Sequence, residues 1–140
     1  MISVPSEDLR ILMEAGYLYL GMLRYKEAQE LFEGVVTLAP ESDVPLVALG
    51  NVYCVQGNFT EAIKTYQKAL DLDDKSAFAK AYLGEALLFD GDKEGAVATL
   101  EEASKMDPKG KSGDFARSLI ELIKKGFVPD PQILKSQNEA

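Results

Sequence analysis

The stretch "LGNVYCVQGNFTEAIKTYQKAL", residues 49–70, decides the fold. Gly50 lies inside a run of helix formers, where glycine costs about 0.5–1 kcal/mol relative to alanine. Gly57 and Asn58 then break the run as a C-cap glycine and turn would. A second helix-forming run carries Ala62 and Tyr66. A costly mid-helix glycine needs a reason, and the rest of the chain supplies one. Gly16, Gly50 and Gly84 recur every 34 residues, and so do Ala28, Ala62 and Ala96. A fixed period of this size marks stacked structural repeats, each one a supersecondary unit. The spacing predicts two antiparallel helices per repeat, with the small residues letting the paired backbones approach closely. On this reading Tyr53 and Tyr66 fill the space beside the contact.

In phase, the repeats run over residues 9–42, 43–76 and 77–110 without insertion. The middle copy shows Leu46, Leu49, Gly50, Tyr53, Ala62 and Tyr66. The first shows Leu12, Ala15, Gly16, Tyr19, Ala28, Phe32 and Pro40. The third shows Lys80, Leu83, Gly84, Leu87, Ala96, Leu100 and Pro108. These residues follow the pattern W-x2-L-G-x2-Y, A-x3-F and a closing proline. Over residues 9–110 the chain therefore resembles the tetratricopeptide repeat (TPR) family. The resemblance implies an all-α solenoid of three helix-turn-helix repeats. Five departures stand out. Leu23 replaces the glycine that ends the first helix in the other copies, which leaves the first turn undefined. Asp74 replaces a proline, Lys80 a large apolar residue, and Leu87 and Leu100 replace aromatics. The last two predict looser packing on the inner side of the third repeat.

The ends extend this plan. A solenoid needs its last apolar face covered. "KSGDFARSLIELIKKG", residues 111–126, reads as the capping helix. Ser112 is the expected N-cap, and Phe115, Leu119, Leu122 and Ile123 form the expected covering stripe. Residues 1–8 read as a leader. Residues 127–140, with Pro129 and Pro131, read as an extended tail whose Phe127, Val128, Ile133 and Leu134 could dock on the domain or on a partner.

Composition narrows the function. The 140 residues carry a formal net charge of −8, one cysteine and no histidine. Nucleic acid and anionic membranes need a basic footprint, so neither is an expected partner. The absence of histidine argues against zinc sites and His-based acid–base chemistry, and a single cysteine suits a reducing compartment. The N-terminus has no basic region followed by an apolar core, so it does not read as a signal peptide, and no apolar run is long enough to insert in a membrane. The expected location is the cytoplasm. "LFDGDKEG", residues 88–95, reads as a solvated turn between helices rather than a metal loop. Cys54 reads as a small apolar groove residue. No nucleophile, base and orienter assemble, so neither an enzyme nor a cofactor is expected.

The TPR resemblance also implies a binding surface. In that family the first helix of each repeat lines a concave groove for peptides. Carried over, the first repeat supplies Arg10, Met13, Glu14, Tyr17, Leu20 and Gly21. The second supplies Val44, Val47, Ala48, Asn51, Cys54 and Val55. The third supplies Phe78, Ala81, Tyr82, Glu85, Leu88 and Phe89. Of these, Met13, Tyr17, Leu20, Val47, Asn51, Cys54, Phe78, Tyr82, Glu85, Leu88 and Phe89 are the candidate partner-binding residues. Family members that grip acidic chaperone tails use a carboxylate clamp of Lys, Asn and Arg. The clamp positions here hold Met13, Tyr17, Ala48, Phe78 and Tyr82, so no clamp is expected.

"EAGYLYLGMLRYKEAQELFEGVVTLAP" (14–40) and "AYLGEALLFDGDKEGA" (81–96) resemble the TPR chaperones of bacterial type III secretion. That resemblance implies a cytoplasmic chaperone holding an apolar segment or helix of a secreted client, in a hetero-complex or as a homodimer. The alternative is a generic TPR scaffold or an accessory subunit of another complex.

Overall fold

The computed structural model describes residues 5–130. Seven helices account for the regular structure there, and the described residues contain no strand. They are α1 (Ser6–Gly21), α2 (Tyr25–Leu38), α3 (Val44–Val55), α4 (Phe59–Leu72), α5 (Ala77–Phe89), α6 (Lys93–Met106) and α7 (Lys111–Lys124). The pairs α1–α2, α3–α4 and α5–α6 are the three repeats, and α7 packs on α5 and α6. The first helices of successive units, α1, α3, α5 and α7, also touch one another in series, whereas direct contact among α2, α4 and α6 is slight at most. This asymmetry curves the stack and puts α1, α3 and α5 on its inner side.

The mid-helix glycines are explained by side chains of the opposite helix. A Cβ on Gly50 would lie 2.3 Å from the Tyr66 ring, and one on Gly16 would lie 2.3 Å from the Phe32 ring. At Gly84 the obstacle is the Leu100 side chain, at 2.6 Å. The expected approach of two backbones is therefore a side chain lying on the glycine backbone, a ring in the first two repeats and a leucine in the third. Tyr66, Phe32 and Leu100 are fully buried, so Leu100 fills its place in the third repeat as completely as the aromatics do. Lys80 is accounted for as well. It is largely buried and ion-pairs with Glu102 of α6, tying the third helix pair together by charge.

The first turn follows the others despite its residue. Leu23 adopts φ 62°, the left-handed conformation that Gly57 (78°), Gly91 (94°) and Gly126 (92°) adopt in the equivalent turns. At all four places the next backbone N–H closes onto the helix in a Schellman motif. Arg24 N bonds Tyr19 O, Asn58 N bonds Tyr53 O and Asp92 N bonds Leu87 O, each at 2.9 Å; Phe127 N bonds Leu122 O at 3.0 Å. A leucine in this region is strained by roughly 1–2 kcal/mol. Its side chain is 63% exposed and contributes little packing. Leu23→Gly is accordingly expected to stabilise the protein by about 0.5–1 kcal/mol, after allowing for the greater unfolded-state freedom of glycine. A higher melting temperature checks this; a lower one would show that the Leu23 side chain contributes packing despite its exposure.

Three expectations at the ends need correction. Helix α1 begins at Ser6, inside the stretch read as a leader. In α7 Ser112 is not the N-cap. The helix starts at Lys111, and Asp107 accepts the Gly113 N–H at 3.0 Å from six residues back. The covering stripe is Ala116, Leu119, Ile120 and Ile123, with Phe115 at its edge. Leu122 is 44% exposed and takes no part. Arg117 latches α7 to the end of α6, donating to Ser104 O (3.2 Å), Ser104 Oγ (3.1 Å) and Asp107 O (3.4 Å). Phe127 is 40% and Val128 78% exposed, while Ile133 and Leu134 lie outside the described residues.

Candidate peptide-binding groove

Two cavities lie along the inner side of the stack and share Tyr17 as a common wall. The first, about 380 Å³, is lined by Tyr17 and Leu20 of α1, Asn51, Cys54 and Val55 of α3, Phe59 of α4, and Tyr82, Glu85 and Phe89 of α5. The second, about 460 Å³, opens between the N-terminal ends of the same helices. Leu9, Met13, Val35, Val44, Pro45 and Phe78 give it an apolar wall, and Arg10 and Glu14 stand at its rim as a 3.9 Å ion pair. Their volumes fall in the lower part of the range for ligand pockets.

Helix periodicity brings nine of the candidate residues to these cavities: Met13, Tyr17, Leu20, Asn51, Cys54, Phe78, Tyr82, Glu85 and Phe89. Val47 and Leu88 do not reach them. Val47 is fully buried in the core of the middle repeat, and Leu88 is 3% exposed against α6 and α7. Ala48 and Ala81 are likewise fully buried. A helix packed on both its partner and the next repeat spends more than one face on the core, so these positions seal repeats together. Phe59 was missed. It enters the groove from the start of α4, just after the Asn58 cap, and stacks on Phe89 at 5.7 Å. Reading only the first helix of each repeat cannot find it.

The aromatic side chains pack in three groups, Phe59 with Phe89 being one. Tyr82 meets Phe78 edge-on at 5.3 Å, Phe115 at 5.0 Å and Tyr66 at 6.2 Å, and Tyr17 meets Phe32 edge-on at 5.1 Å. Edge-to-face pairs add about 0.5–1.5 kcal/mol beyond area burial and hold the rings in place before anything binds. Asn51 is fixed from below, because the buried Tyr66 hydroxyl donates to its Oδ1 at 2.5 Å. Its side chain also hydrogen-bonds Tyr17.

Burial sets the electrostatics. It pushes the Cys54 thiol up to about 12, so at neutral pH this cysteine is a protonated packing group. Cys54 Sγ lies 3.5 Å from the Tyr66 hydroxyl oxygen. Tyr66 and Tyr82 are raised by burial first and by the Glu85 charge among the further causes. Tyr17 is raised by burial, partly offset by its bond to Asn51. Glu85 is itself raised, by burial alone. Among the described residues no group of His, Cys, Asp or Glu side chains is placed to hold a metal, and no helix is long and apolar enough to cross a membrane.

Comparison with known proteins agrees with this architecture. Two tetratricopeptide-repeat family profiles match, one over residues 9–42 and one over 41–109, together about three-quarters of the chain. No match is found among curated proteins. Solved structures superpose over most of the chain. The type III secretion chaperone SycD of Yersinia enterocolitica, in complex with a peptide of the translocator YopD, has a TM-score of 0.73 at 20% identity, covering 89% of this chain and 98% of that one. PcrH of Pseudomonas aeruginosa has a TM-score of 0.75 at 18% identity, covering 86% and 95%. The first TPR of Spaghetti (RPAP3), bound to the HSP90 peptide SRMEEVD, has a TM-score of 0.73 at 21% identity, covering 90% and 98%. At these identities the superpositions speak for the fold, and the family rests on the repeat profiles. With three helix pairs in a 34-residue period, each closed by the same turn and matched by those profiles, this chain belongs to the tetratricopeptide repeat family.

Proposed function

We propose that the chain is a protein-binding TPR module whose concave groove holds an apolar segment of a partner, as a cytoplasmic chaperone of a type III secretion subunit. The observation that carries this reading is the pair of adjoining, largely apolar cavities with pre-ordered aromatic walls. SycD and PcrH share the fold at nearly full length, and SycD has been solved with a translocator peptide. The HSP90-peptide relative shares the fold equally well, but an acidic tail would here meet Tyr17, Phe78, Tyr82 and the carboxylate of Glu85. The proposed activity is binding, with no catalytic step and no cofactor.

The test starts with co-purification from native lysate and identification of the bound chain. A chaperone predicts a client that precipitates or polymerises when expressed alone; a scaffold or accessory subunit predicts partners that are each stable. Tyr17→Ala, Phe78→Ala and Tyr82→Ala should each weaken client binding roughly tenfold or more, since buried aromatic anchors typically cost about 2 kcal/mol when truncated. Lys64→Ala and Lys68→Ala, exposed on α4, should bind as the parent does. Affinity should persist at high salt, because the main contacts are apolar. Normal binding by all three aromatic variants, with loss in the lysine variants, would move the interface to the convex side.

A further inference from the structure

One side chain does not suit a purely apolar receptor. Glu85 lines the first cavity, half-buried, beside Tyr17, Phe59, Tyr82 and Phe89. Among the described residues it has neither a hydrogen bond nor an ion pair, and burial is the sole cause of its raised pKa. The Lys and Arg side chains that do form ion pairs find their partners elsewhere: Arg10 with Glu14, Arg24 with Glu27, Lys64 with Glu61, Lys80 with Glu102 and Arg117 with Asp114. No basic side chain lines this cavity. The nearby Asn51 amide is already engaged by Tyr66 and Tyr17. Its carboxylate oxygens keep contact with water; seating an apolar side chain over them would strip that water from an unpaired charge, so an apolar residue in its place would make a better receptor for such a side chain.

We propose that this cavity receives a lysine or arginine side chain of the bound segment, its cationic head on the Glu85 carboxylate and its methylene stem along Leu20 and Val55. The proposal rests on the groove reading above and adds the chemistry of the occupant. Charge complementarity selects it. An unpaired carboxylate in a cavity with four aromatic side chains in its walls favours a cation by ion pairing and by attraction to the rings. The volume of about 380 Å³ is enough for one long side chain. The neighbouring cavity, apolar apart from its rim, takes an aliphatic or aromatic anchor of the same segment. The net charge of −8 also draws a basic segment toward the protein. The recognised sequence is thus apolar with one basic residue.

The test is selection of a displayed random-peptide library on the full chain, with Tyr82→Ala and Glu85→Gln in parallel. Peptides that need Tyr82 should share one Lys or Arg among apolar residues. Replacing that residue with norleucine should weaken binding to the parent roughly tenfold or more and leave binding to Glu85→Gln nearly unchanged. Glu85→Gln should melt at or above the parent temperature at pH 7, because it removes an unpaired charge. Groove-dependent peptides lacking a basic residue, or an equal basic preference in Glu85→Gln, would overturn the proposal while sparing the groove. The norleucine comparison on the parent decides the matter even if Glu85→Gln folds poorly. Peptides indifferent to Tyr17→Ala and Tyr82→Ala, or no binding peptides at all, would remove the groove reading and this proposal with it.

Discussion

Truncation after Gly110, which removes α7, is expected to yield aggregation or a large loss of helicity. Ala116, Leu119 and Ile123 of α7 are buried against Ala81, Leu88, Leu100 and Ala103 of the third repeat. Fully burying an aliphatic side chain is worth about 2 kcal/mol. Losing Leu119 and Ile123, and uncovering Leu88, therefore removes roughly 6 kcal/mol, comparable to the whole stability of a small domain at about 5–15 kcal/mol. The exposed face would also be a contiguous apolar patch, the usual route to association for an uncapped solenoid. Point variants separate the covering face from the outer one. Leu119→Ala and Ile123→Ala should each cost about 2–4 kcal/mol, whereas Leu122→Ala, at a 44% exposed side chain, should stay within about 0.5 kcal/mol. A melting curve unchanged by the truncation would mean that the third repeat closes its own core.

The cap also shows where sequence reading succeeds and where it stops. The apolar residues of α7 announce a helix with one sticky face. Choosing between Leu122 and Ala116 for that face depends on the angle at which α7 lies across α5 and α6, which the periodicity of α7 alone does not encode. Ser112 has the right chemistry for an N-cap, but Asp107 reaches the Gly113 N–H first because the chain folds back on itself at the end of α6. The same distinction holds at Leu23. A leucine gives no local hint of a left-handed residue, yet the hydrogen bond of Arg24 N to Tyr19 O closes the turn as it does after Gly57. Here the geometry of the repeat overrides the preference of the residue.

In the groove, period and family pattern together brought Tyr17, Asn51, Tyr82, Glu85 and Phe89 to one cavity. Val47 and Leu88 sit on the same helices but on the faces that meet the neighbouring helices, a difference of less than one turn's rotation. Phe59 comes from a second helix, so only the packed pair reveals it. The isolation of Glu85 is likewise invisible in sequence, since the chain has 15 Lys and Arg residues that could have reached it.

The glycine series is the second test with a large expected effect, and it answers why glycine recurs every 34 residues. Gly16→Ala and Gly50→Ala should each destabilise the protein by roughly 2 kcal/mol, net of the 0.5–1 kcal/mol gained in helix propensity, because overpacking a core typically costs about 1–3 kcal/mol and these rings have little room. The new Cβ would stand 2.3 Å from a flat ring that is fully buried. Phe32 is held edge-on to Tyr17, and Tyr66 is tethered through its hydroxyl to Asn51. At Gly84 the obstacle is Leu100, whose rotatable branch can give way more readily than a ring. Gly84→Ala should therefore cost less than the other two, even though all three glycines occupy the same place in the repeat. If the relevant strain is ring against Cβ, replacing the ring with a flexible side chain should relieve part of it. The double variant Gly16→Ala, Phe32→Leu should then lose less stability than the sum of its single changes, a non-additivity that denaturant melts can resolve. Equal losses at all three glycines, or strict additivity in the double variant, would place the cost in the helix backbone rather than in the ring that lies on it.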